Sequence, residues 1–423
     1  MKMAKKILAI LLSVLFVAAA FVGCSSNAGD DKGKNDSAYA NVKIGFICLH
    51  DENSTYDLNF IRAAKEAVGK LGLGEDQYII KTGIPEGQEC KEAADDLVDA
   101  GCTIIFADSF GHEDYMIQVA QENPDVQFCH ATGTRAHTEG LANYHNAFAS
   151  IYEGRYLAGI AAGMKLNEMI AAGKFTADEA KMGYVGAFTY AEVISGYTSF
   201  FLGAKSVCPT VTMEVTFTGS WYDEAKEKEG ANKLIANGCK LISQHADSMG
   251  APTACEAAGV PNVSYNGSTI DACANTFIVS SRINWAPYFE YIIKQNAADQ
   301  AIDKDWTGTL ATDSVVLTDI NEAVAAQGTA DAVAEAKAKL QDGTLHVFDT
   351  SAFTVTVTDS KNANAKVDAD GHMTSYMADV DTDAAYTGDT EAVVDGYFAE
   401  SKDRSAPYFD VQIDGIDLLD TEF

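Results

Sequence analysis

Residues 42–71 read VKIGFICLHDENSTYDLNFIRAAKEAVGKL. The apolar run Val42–Leu49 has the composition of a buried β-strand, and Asn59–Lys70 shows the apolar spacing of an amphipathic helix. A polar loop with one aromatic residue separates them. A strand, a loop and a helix in this order begin a βαβ unit, in which the next strand runs parallel to the first. This stretch therefore predicts an α/β fold built on a parallel sheet.

The same alternation of apolar runs and amphipathic stretches makes up two successive units. The first unit has predicted strands Val42–Leu49, Tyr78–Thr82, Thr103–Ala107, Val126–His130 and Asn143–Phe148, with helices Asn59–Lys70, Glu86–Ala100 and Asp114–Glu122. The second follows a helix at Ile151–Met164 and has strands Met182–Phe188, Val211–Phe217, Lys240–His245 and Asn262–Tyr265, with helices Val193–Val207, Asp223–Ala236 and Ala251–Ala258. Continuous apolar strands alternating with helices predict two lobes, each with a sheet covered on both faces.

The chain continues beyond the two units through an apolar run at Phe277–Ser280 and a helix near Trp285–Asp299. From about residue 313 it is acidic and rich in Thr and Asp. This section is predicted to be strand-like and irregular, because Phe353–Val357 alternates and Asp370-Gly371 is a hairpin-turn dipeptide. The helix Ile151–Met164 carries many Gly and Ala residues, which predicts close packing of that helix against a sheet.

The chain of 423 residues carries 61 acidic and 30 basic side chains, a formal net charge of −31. Such a surplus repels phosphate backbones and anionic lipid headgroups. We therefore expect no binding to nucleic acid, and any contact with a membrane must rest on something other than a basic patch.

The N-terminus has the pattern of a targeting segment. Basic residues precede the apolar run Ile7–Val22, which is shorter than the roughly 20 residues that span a bilayer. Because small residues lead into Cys24, residues 1–23 resemble a bacterial lipoprotein signal peptide, with Cys24 as the lipidated residue. A membrane anchor and an ordinary secretory signal are the alternatives. Residues 24–41 are polar and are predicted to form a flexible tether.

Eight further cysteines are scattered without metal-site spacing, and most fall in or near apolar runs: Cys48, Cys90, Cys102, Cys129, Cys208, Cys239, Cys255 and Cys273. We expect buried free thiols and no bound metal. A disulfide remains the alternative outside the cell.

The loop after the first strand contains the first candidate binding residues. Tyr56 can offer its ring to a flat ligand, while Asn53, Ser54 and Asp57 can form hydrogen bonds with it. The alternative role for these polar side chains is to cap the first turn of the helix.

The third strand ends in Ala107-Asp108-Ser109-Phe110-Gly111, which approximates a nucleophile elbow. A serine hydrolase using Ser109 also requires an Asp and a His, and no histidine stands in an identifying context. We therefore favour a role for Phe110 in lining a cleft and for Ser109 in capping the next helix.

Three later strands also end in polar or aromatic residues. Trp221 can stack on a planar heterocycle, and Asp223 can contact a ligand or cap a helix. Asp247 can accept hydrogen bonds from an amine or a diol, or cap a helix, and Asn266 offers an amide. Since ligands bind outside the carboxyl ends of parallel strands, these residues are predicted to face one cleft between the lobes.

Several stretches taken together resemble the basic membrane protein (Bmp/Med) family of bacterial lipoproteins, the type I substrate-binding components of ABC importers. The matching stretches are Lys43–Phe46, Asp108–Gly111, His130–Gly133, Tyr152–Gly159, Gly183–Phe188, Glu192–Ile194 with Gly196, Trp221–Asp223, His245–Ser248 and Ile283–Tyr288. The resemblance covers residues 42 to about 310 and is looser beyond.

The resemblance implies a periplasmic-binding-protein type I fold, in which a three-strand hinge joins two Rossmann-like lobes and the ligand lies between them. It divides the chain into lobe 1, residues 42–149 plus 266–311, and lobe 2, residues 150–265 plus 312–423 with the acidic C-terminal extension.

Members of this family typically bind purine nucleosides or nucleobases. Tyr56 stands where the family has a Phe or Trp that stacks on the base, Phe110 resembles the opposing aromatic residue, and Trp221, Asp247 and Asn266 fall on other cleft positions. The family's Asp-Lys-Ser-Phe-Asn loop and a late lysine are not matched, so base and nucleoside both stay open.

The N-terminal pattern and the family resemblance together imply a lipid-anchored, monomeric substrate-binding protein on the extracytoplasmic face of the cell membrane. It is expected to capture a purine base or nucleoside and to deliver it to an ABC permease, without a cofactor and without catalysis. A ligand-sensing lipoprotein of the same fold and a serine hydrolase using Ser109 are the alternatives.

Overall fold

The computed structural model describes residues 38–380 and 390–420. The predicted signal peptide, the lipidation site Cys24 and most of the predicted tether lie outside the described residues. Residues 38–41, also predicted as tether, instead form a turn. The carbonyl of Tyr39 accepts hydrogen bonds from Val42 N at 3.0 Å and from Gln77 Nε2 at 2.7 Å. These four residues therefore belong to the folded unit.

Lobe 1 is built on a six-stranded sheet in which every strand pair is parallel. Its strands are β1 (Ile44–Ile47), β2 (Tyr78–Lys81), β3 (Ile104–Ala107), β4 (Gln127–Ala131), β5 (Tyr144–Ala149) and β11 (Asp305–Gly308), in the spatial order β11-β5-β4-β3-β1-β2. The helices that accompany this sheet are α1 (Thr55–Leu71), α2 (Gln88–Asp99), α3 (Glu113–Glu122), α4 (Ala136–Glu139) and α9 (Ala286–Ala297).

Lobe 2 is built on a seven-stranded sheet that is parallel except for β12. Its strands are β6 (Lys181–Gly186), β7 (Thr212–Phe217), β8 (Leu241–Gln244), β9 (Asn262–Tyr265), β10 (Phe277–Ile283), β12 (Val315–Leu317) and β18 (Ile416–Leu418), in the order β12-β10-β9-β8-β6-β7-β18. Its helices are α5 (Ile151–Ala171), α6 (Ala191–Val207), α7 (Glu224–Ala236), α8 (Gly250–Ala258) and α10 (Thr329–Gln341).

The chain crosses between the two sheets three times: after β5, after β10 and after β11. The predicted two-lobed α/β fold with a three-segment hinge is confirmed. The predicted boundary at residue 266 differs, because β10 pairs with β9 in the second sheet. The chain thus returns to lobe 1 only after Ile283.

Helix α1 begins and ends at residues with clear physical roles. The Ser54 side chain accepts a hydrogen bond from Asp57 N and caps the first turn, and Gly72 ends the helix with a left-handed φ of 72°. Inside the lobe, Phe60 of α1 stacks on buried Trp285 at 4.7 Å between ring centroids. This aromatic contact ties α1 to the hinge segment that precedes α9.

The small residues of α5 pack against helix α6 as well as against the sheet. A β-carbon on Gly159 would lie 2.0 Å from the carbonyl oxygen of Phe200, and one on Gly203 would lie 2.0 Å from that of Tyr156. The glycines therefore let α5 and α6 approach backbone to backbone. The predicted helix–sheet packing is also present, because α5 contacts β10 and β12 and a β-carbon on Gly154 would meet side chains of Ser281 and Val315 there.

The C-terminal extension is only partly strand-like. Its further strands are β13 (Ala365–Val367), β14 (Met373–Ala378), β15 (Thr390–Glu391), β16 (Val393–Val394) and β17 (Tyr397–Phe398). The predicted turn at Asp370-Gly371 joins β13 to β14, with φ 87° at Gly371. The prediction for Phe353–Val357 was wrong, since no strand forms there. Helix α10, within the section predicted to be strand-like, was missed.

The eight described cysteines are all free and buried, as predicted. In residues 38–380 and 390–420, none of the helices combines the length and the apolar character needed to cross a bilayer.

Candidate functional site

A cavity of about 190 Å³ lies between the lobes, at the carboxyl ends of the parallel strands. Lobe 1 contributes Leu49, His50, Tyr56, Asp57, Ser109, Phe110, Thr132 and Thr134, lobe 2 contributes Tyr190, Ala191, Glu192, Trp221, His245, Asp247 and Tyr265, and the C-terminal extension contributes Arg404, Ala406 and Pro407. The cavity occupies the edge of the sheets that the sequence predicts for a ligand.

Tyr56 lines this cavity from the first turn of α1. Its hydroxyl donates a hydrogen bond to the carbonyl oxygen of Asp108 at 2.8 Å, and its ring meets Phe60 edge-on at 4.9 Å. Burial, together with the nearby Asp108, raises the pKa of the Tyr56 hydroxyl well above its usual value, so the group stays protonated. Two fixed neighbours thus hold the ring at the cavity wall.

Asp57 is an anion at the same wall. It accepts hydrogen bonds from His50 N at 2.8 Å and from the Ser54 hydroxyl at 2.6 Å. Burial raises the pKa of Asp57, but the hydrogen bonds from His50 and Ser54 outweigh burial and hold this pKa below its usual value. The carboxylate is therefore charged at neutral pH.

Cys48, Asp57 and Asp108 bring their ligand-type atoms within 4.8 Å of one another, the kind of group that can hold a metal ion. Burial and the charge of Asp57 raise the pKa of Asp108, and burial and Asp108 raise the pKa of Cys48. Asp108 also accepts a hydrogen bond from Leu49 N at 3.1 Å. Metal ligands must be deprotonated, so an ion bound here would have to displace the protons that burial favours on Cys48 and Asp108.

Ser109 does not stand in a hydrolase arrangement. Its hydroxyl donates to Glu86 Oε1 at 2.6 Å, and His130 contacts the Ser109 backbone carbonyl at 2.7 Å rather than the hydroxyl. The predicted capping role was wrong too, because Glu86 itself accepts from Gly111 N at 2.8 Å. Among the described residues, no histidine forms a hydrogen bond with the Ser109 hydroxyl, so the Ser-His pair of a serine hydrolase is missing there.

A chain of hydrogen bonds crosses the cleft at Asp247. Its carbonyl oxygen accepts from Thr55 N and Thr55 Oγ1, both at 3.1 Å, across the gap between the lobes. Its carboxyl accepts from Asn266 Nδ2 at 3.4 Å, and Asn266 Oδ1 accepts from Asn59 Nδ2 of α1 at 3.3 Å. Burial and the charge of Asp57 raise the pKa of Asp247 well above its usual value. The two predicted residues therefore lie together, with Asp247 favoured as a neutral acid.

Four aromatic rings form a continuous row that reaches from the rim into the cavity. Phe110 of lobe 1 stacks on Tyr190 of lobe 2 at 5.1 Å, Tyr190 stacks on Phe188 at 5.1 Å, and Phe188 meets Trp221 edge-on at 4.9 Å. Phe110 and Tyr190 remain 40% and 42% exposed, which places them at the rim. Flat, apolar surface is therefore offered by both lobes.

The lobe 2 wall is supported by a cluster of hydrogen-bonded and aromatic side chains. His245 Nε2 contacts Glu192 Oε2 at 2.7 Å, and the His245 ring lies 4.9 Å from that of Tyr265. Behind them, the guanidinium of fully buried Arg155 lies 4.3 Å from the centroid of Tyr265 and donates to Gln244 O at 2.9 Å. Arg155 thus fixes the wall from behind without lining the cavity.

Four predicted site residues do not line the cavity. Asn266 is one of them, and its amide hydrogen-bonds to Asp247 and Asn59 instead. Asn53 is exposed and hydrogen-bonds to Asp51, because the loop turns it towards solvent. Ser54 caps α1, and Asp223 caps α7 by accepting from Lys226 N at 3.0 Å. Ser54 and Asp223 therefore act as helix caps, which was the alternative interpretation for both residues.

The sequence reasoning did not single out Tyr190, Glu192 or Arg404 as site residues. Tyr190 and Glu192 follow β6, so the rule that ligands meet strand ends could have found them. Arg404 lies in the extension, where no strand end or motif indicates its position.

Two parallel-sheet lobes, three crossings and a cavity at the strand ends define a type I solute-binding protein of the periplasmic kind. A solute-binding protein of an ABC transporter system from Conexibacter woesei has the same fold, with a TM-score of 0.58 and 21% identity over 72% of this chain and 98% of its own.

Residues 45–345 match the Bmp family, the PnrA-like substrate-binding proteins of ABC transporters, and the chain belongs to this family. Its members bind transport substrates and are not enzymes. A purine-binding protein of Brucella abortus is 32% identical over 62% of this chain and 71% of its own length. A protein of Haloferax volcanii, provisionally named an ABC transporter glucose-binding protein, is 36% identical over 44% of both chains.

Proposed function

We propose that this substrate-binding protein captures a purine base or nucleoside in the cavity between its lobes and hands it unchanged to an ABC permease. The observation that carries the proposal is that aromatic rings from both lobes line one cavity together with the buried carboxyl of Asp247, which accepts a hydrogen bond from Asn266. Rings hold a planar heterocycle by stacking, and the Asp247 carboxyl can form hydrogen bonds with the edge of the heterocycle. The purine-binding relative from Brucella abortus supports the same ligand class.

We further propose that the mature chain is a monomer that is anchored through Cys24 to the extracytoplasmic face of the membrane. The lipoprotein-like pattern around Cys24 supports this placement. Fractionation of cells tests it: the wild-type chain should sediment with membranes, and a Cys24→Ser variant should not acquire lipid. Retention of labelled acyl chains by the variant would contradict the proposal.

A hexose is the second candidate ligand, because the Haloferax volcanii relative is named for glucose. Sugars also pack on aromatic rings, but they offer no flat heterocycle to a row of stacked rings. A sensing role with the same ligand is a further alternative, which depends on the partner that recognises the closed form.

Calorimetry distinguishes the candidate ligands. After removal of co-purified ligand, the protein is titrated with purine bases, purine nucleosides, glucose and riboflavin. We expect saturable binding of one purine, and ligand recovered from the complex should have unchanged mass. Stabilisation by about 2.7 kcal/mol at 100 times the dissociation constant provides a thermal check. Tight binding of glucose with no purine binding would overturn the proposal.

A further inference from the structure

The C-terminal extension contributes part of the cavity wall. The family match ends at residue 345, whereas Arg404, Ala406 and Pro407 lie well beyond it and still line the cavity together with residues of both lobes. All three residues are buried, so this part of the wall is packed into the molecule. This chain therefore adds binding-site surface that the matched region does not contain.

Arg404 holds the segment Ala406-Pro407 in place. Its Nε donates to Ala406 O at 3.0 Å, and its Nη2 donates to Pro407 O at 2.9 Å. Burial lowers the pKa of the guanidinium, and among the neighbouring acids the charge of Glu400 in the same loop counteracts this most strongly. The guanidinium therefore acts as a brace that fixes the backbone of the wall.

Contacts to both lobes fix the loop that contains this segment. Ser405 N donates to Asp305 Oδ2 of β11 at 3.0 Å, which attaches the loop to lobe 1. On the other side, Tyr152 of α5 donates to the carbonyl of Glu400 at 3.2 Å, and Tyr408 N donates to the Glu400 carboxyl at 3.3 Å. The wall therefore cannot move away from the cavity without breaking hydrogen bonds.

The volume of the cavity limits the size of the ligand. Its 190 Å³ is smaller than the roughly 300–1,000 Å³ of sites for drug-sized ligands. An apolar protein cavity of about 150 Å³ is large enough for benzene. A purine base is flat and somewhat larger than benzene, whereas the ribose of a nucleoside nearly doubles the number of non-hydrogen atoms. The cavity therefore has room for one base and not for the attached sugar.

A nucleoside would also interfere with closure of the lobes. In the closed arrangement the carbonyl of Asp247 accepts hydrogen bonds from Thr55 N and Oγ1 at 3.1 Å, and the rings of Phe110 and Tyr190 stack at 5.1 Å. A sugar inside the cavity would have to hold the lobes apart or displace the wall formed by the extension. Either change removes contacts that a bare base leaves intact.

We propose that the C-terminal extension makes this protein selective for free purine bases, because it fills space that the ribose of a nucleoside would need. This inference rests on the proposed purine-binding function. Ala406 and Pro407 supply surface of the wall, and Arg404 is a positioning residue that holds them. The protein thereby discriminates between ligands by the size of the substituent on the purine N9 atom.

The wild-type protein tests the proposal without any substitution. Calorimetry compares adenine, 9-methyladenine and adenosine, and likewise hypoxanthine, 9-methylhypoxanthine and inosine. In a series whose base binds, the methyl derivative should bind within about threefold of the base and the nucleoside about tenfold or more weakly. Equal affinity for base and nucleoside, or rejection of the methyl derivative as strongly as the nucleoside, would overturn selection by size while leaving purine capture intact. Absence of binding to every compound would instead overturn the proposed function and this inference with it.

A matched pair of variants tests the role of the extension. Arg404→Ala removes the brace and leaves space in the wall, so the ratio of base affinity to nucleoside affinity should fall by about tenfold or more. Lys402→Ala changes an exposed side chain of the same loop and should leave this ratio unchanged. Melting curves of the ligand-free variants show whether Arg404→Ala is folded, and if it is not, Pro407→Gly removes a ring from the wall and keeps the brace. An unchanged ratio in the folded variant would overturn the proposal.

Discussion

The rings of Phe110 and Tyr190 stack across the cleft, with centroids 5.1 Å and planes 27° apart. Phe110 follows β3 of lobe 1 and Tyr190 follows β6 of lobe 2, so this contact exists only when the lobes are close together. Both rings lie at the cavity rim. When the lobes close and the rings stack, they therefore cover the opening through which a ligand would leave.

Tyr190→Ala should weaken ligand binding by about three- to tenfold, because an aromatic pair contributes about 0.5–1.5 kcal/mol beyond area burial. The loss should appear mainly as faster ligand release, which stopped-flow fluorescence measures. Tyr115→Ala is the matched control, since Tyr115 packs on the core of lobe 1 and does not line the cavity. An unchanged release rate in Tyr190→Ala would contradict a role for the stack in closure.

Trp221→Ala and Tyr56→Ala should each weaken purine binding by about tenfold or more without unfolding the protein, because each removes a ring that lines the cavity. Calorimetry measures the affinity, and circular dichroism checks the fold. Tyr56→Phe separates the ring from its hydroxyl, which donates to Asp108 O. If both alanine variants bind as the wild type does, these residues do not belong to the ligand site.

Asn266 adopts a left-handed backbone conformation with φ 65°, and its amide links Asp247 to Asn59 across the cleft. Asn266→Ala should therefore lose about 1–2 kcal/mol from backbone strain in addition to the hydrogen bonds. Asn266→Gly relieves the strain and still lacks the amide.

Chemical denaturation measures stability and calorimetry measures affinity for this pair of variants. We expect Asn266→Gly to unfold at a higher denaturant concentration than Asn266→Ala and to bind ligand as weakly. Wild-type affinity in Asn266→Gly would show that the amide plays no part in binding.

Much of the fold could be predicted because buried parallel strands are continuous apolar runs, as Val42–Leu49 illustrates. Tyr56, Phe110, Trp221 and Asp247 could be placed in one cleft because each follows the carboxyl end of a strand. Helix α10 was missed although Val333, Ala336 and Leu340 mark a buried face, since the acidic composition of this section obscured the spacing. Arg404 could not be placed, because nothing local in sequence brings that loop to β11.

The buried cysteines should resist modification in the native protein. Burial raises the pKa of the Cys90 and Cys129 thiols, which keeps them protonated and unreactive. In a Cys24→Ser variant, a chromogenic disulfide reagent should titrate almost no thiol under native conditions and all eight after denaturation without reductant. Fewer than eight after denaturation would reveal a disulfide.

Glu400 makes stability depend on pH above neutrality. Burial raises the pKa of its carboxyl to about 8, whereas an unfolded glutamate titrates near ~4.3. The folded state therefore holds a proton that the unfolded state has lost, so stability should fall as pH rises from about 4.3 through 8. Of the neighbouring charges, Arg404 acts in the opposite direction by favouring the carboxylate.

Melting temperatures measured at roughly pH 6 to 9 test how the Glu400 carboxyl changes stability, because this range spans its raised pKa of about 8. Glu400→Gln mimics the protonated side chain, so its curve should fall less steeply than that of the wild type. Glu227, with a pKa raised by burial to about 7, adds a slope that both proteins share, and the difference between the curves isolates Glu400. Glu391→Gln is the matched control, because hydrogen bonds from Ser375 and Tyr376 outweigh burial and lower the pKa of Glu391. Parallel curves for the wild type and Glu400→Gln would show that Glu400 is already ionised in the folded state.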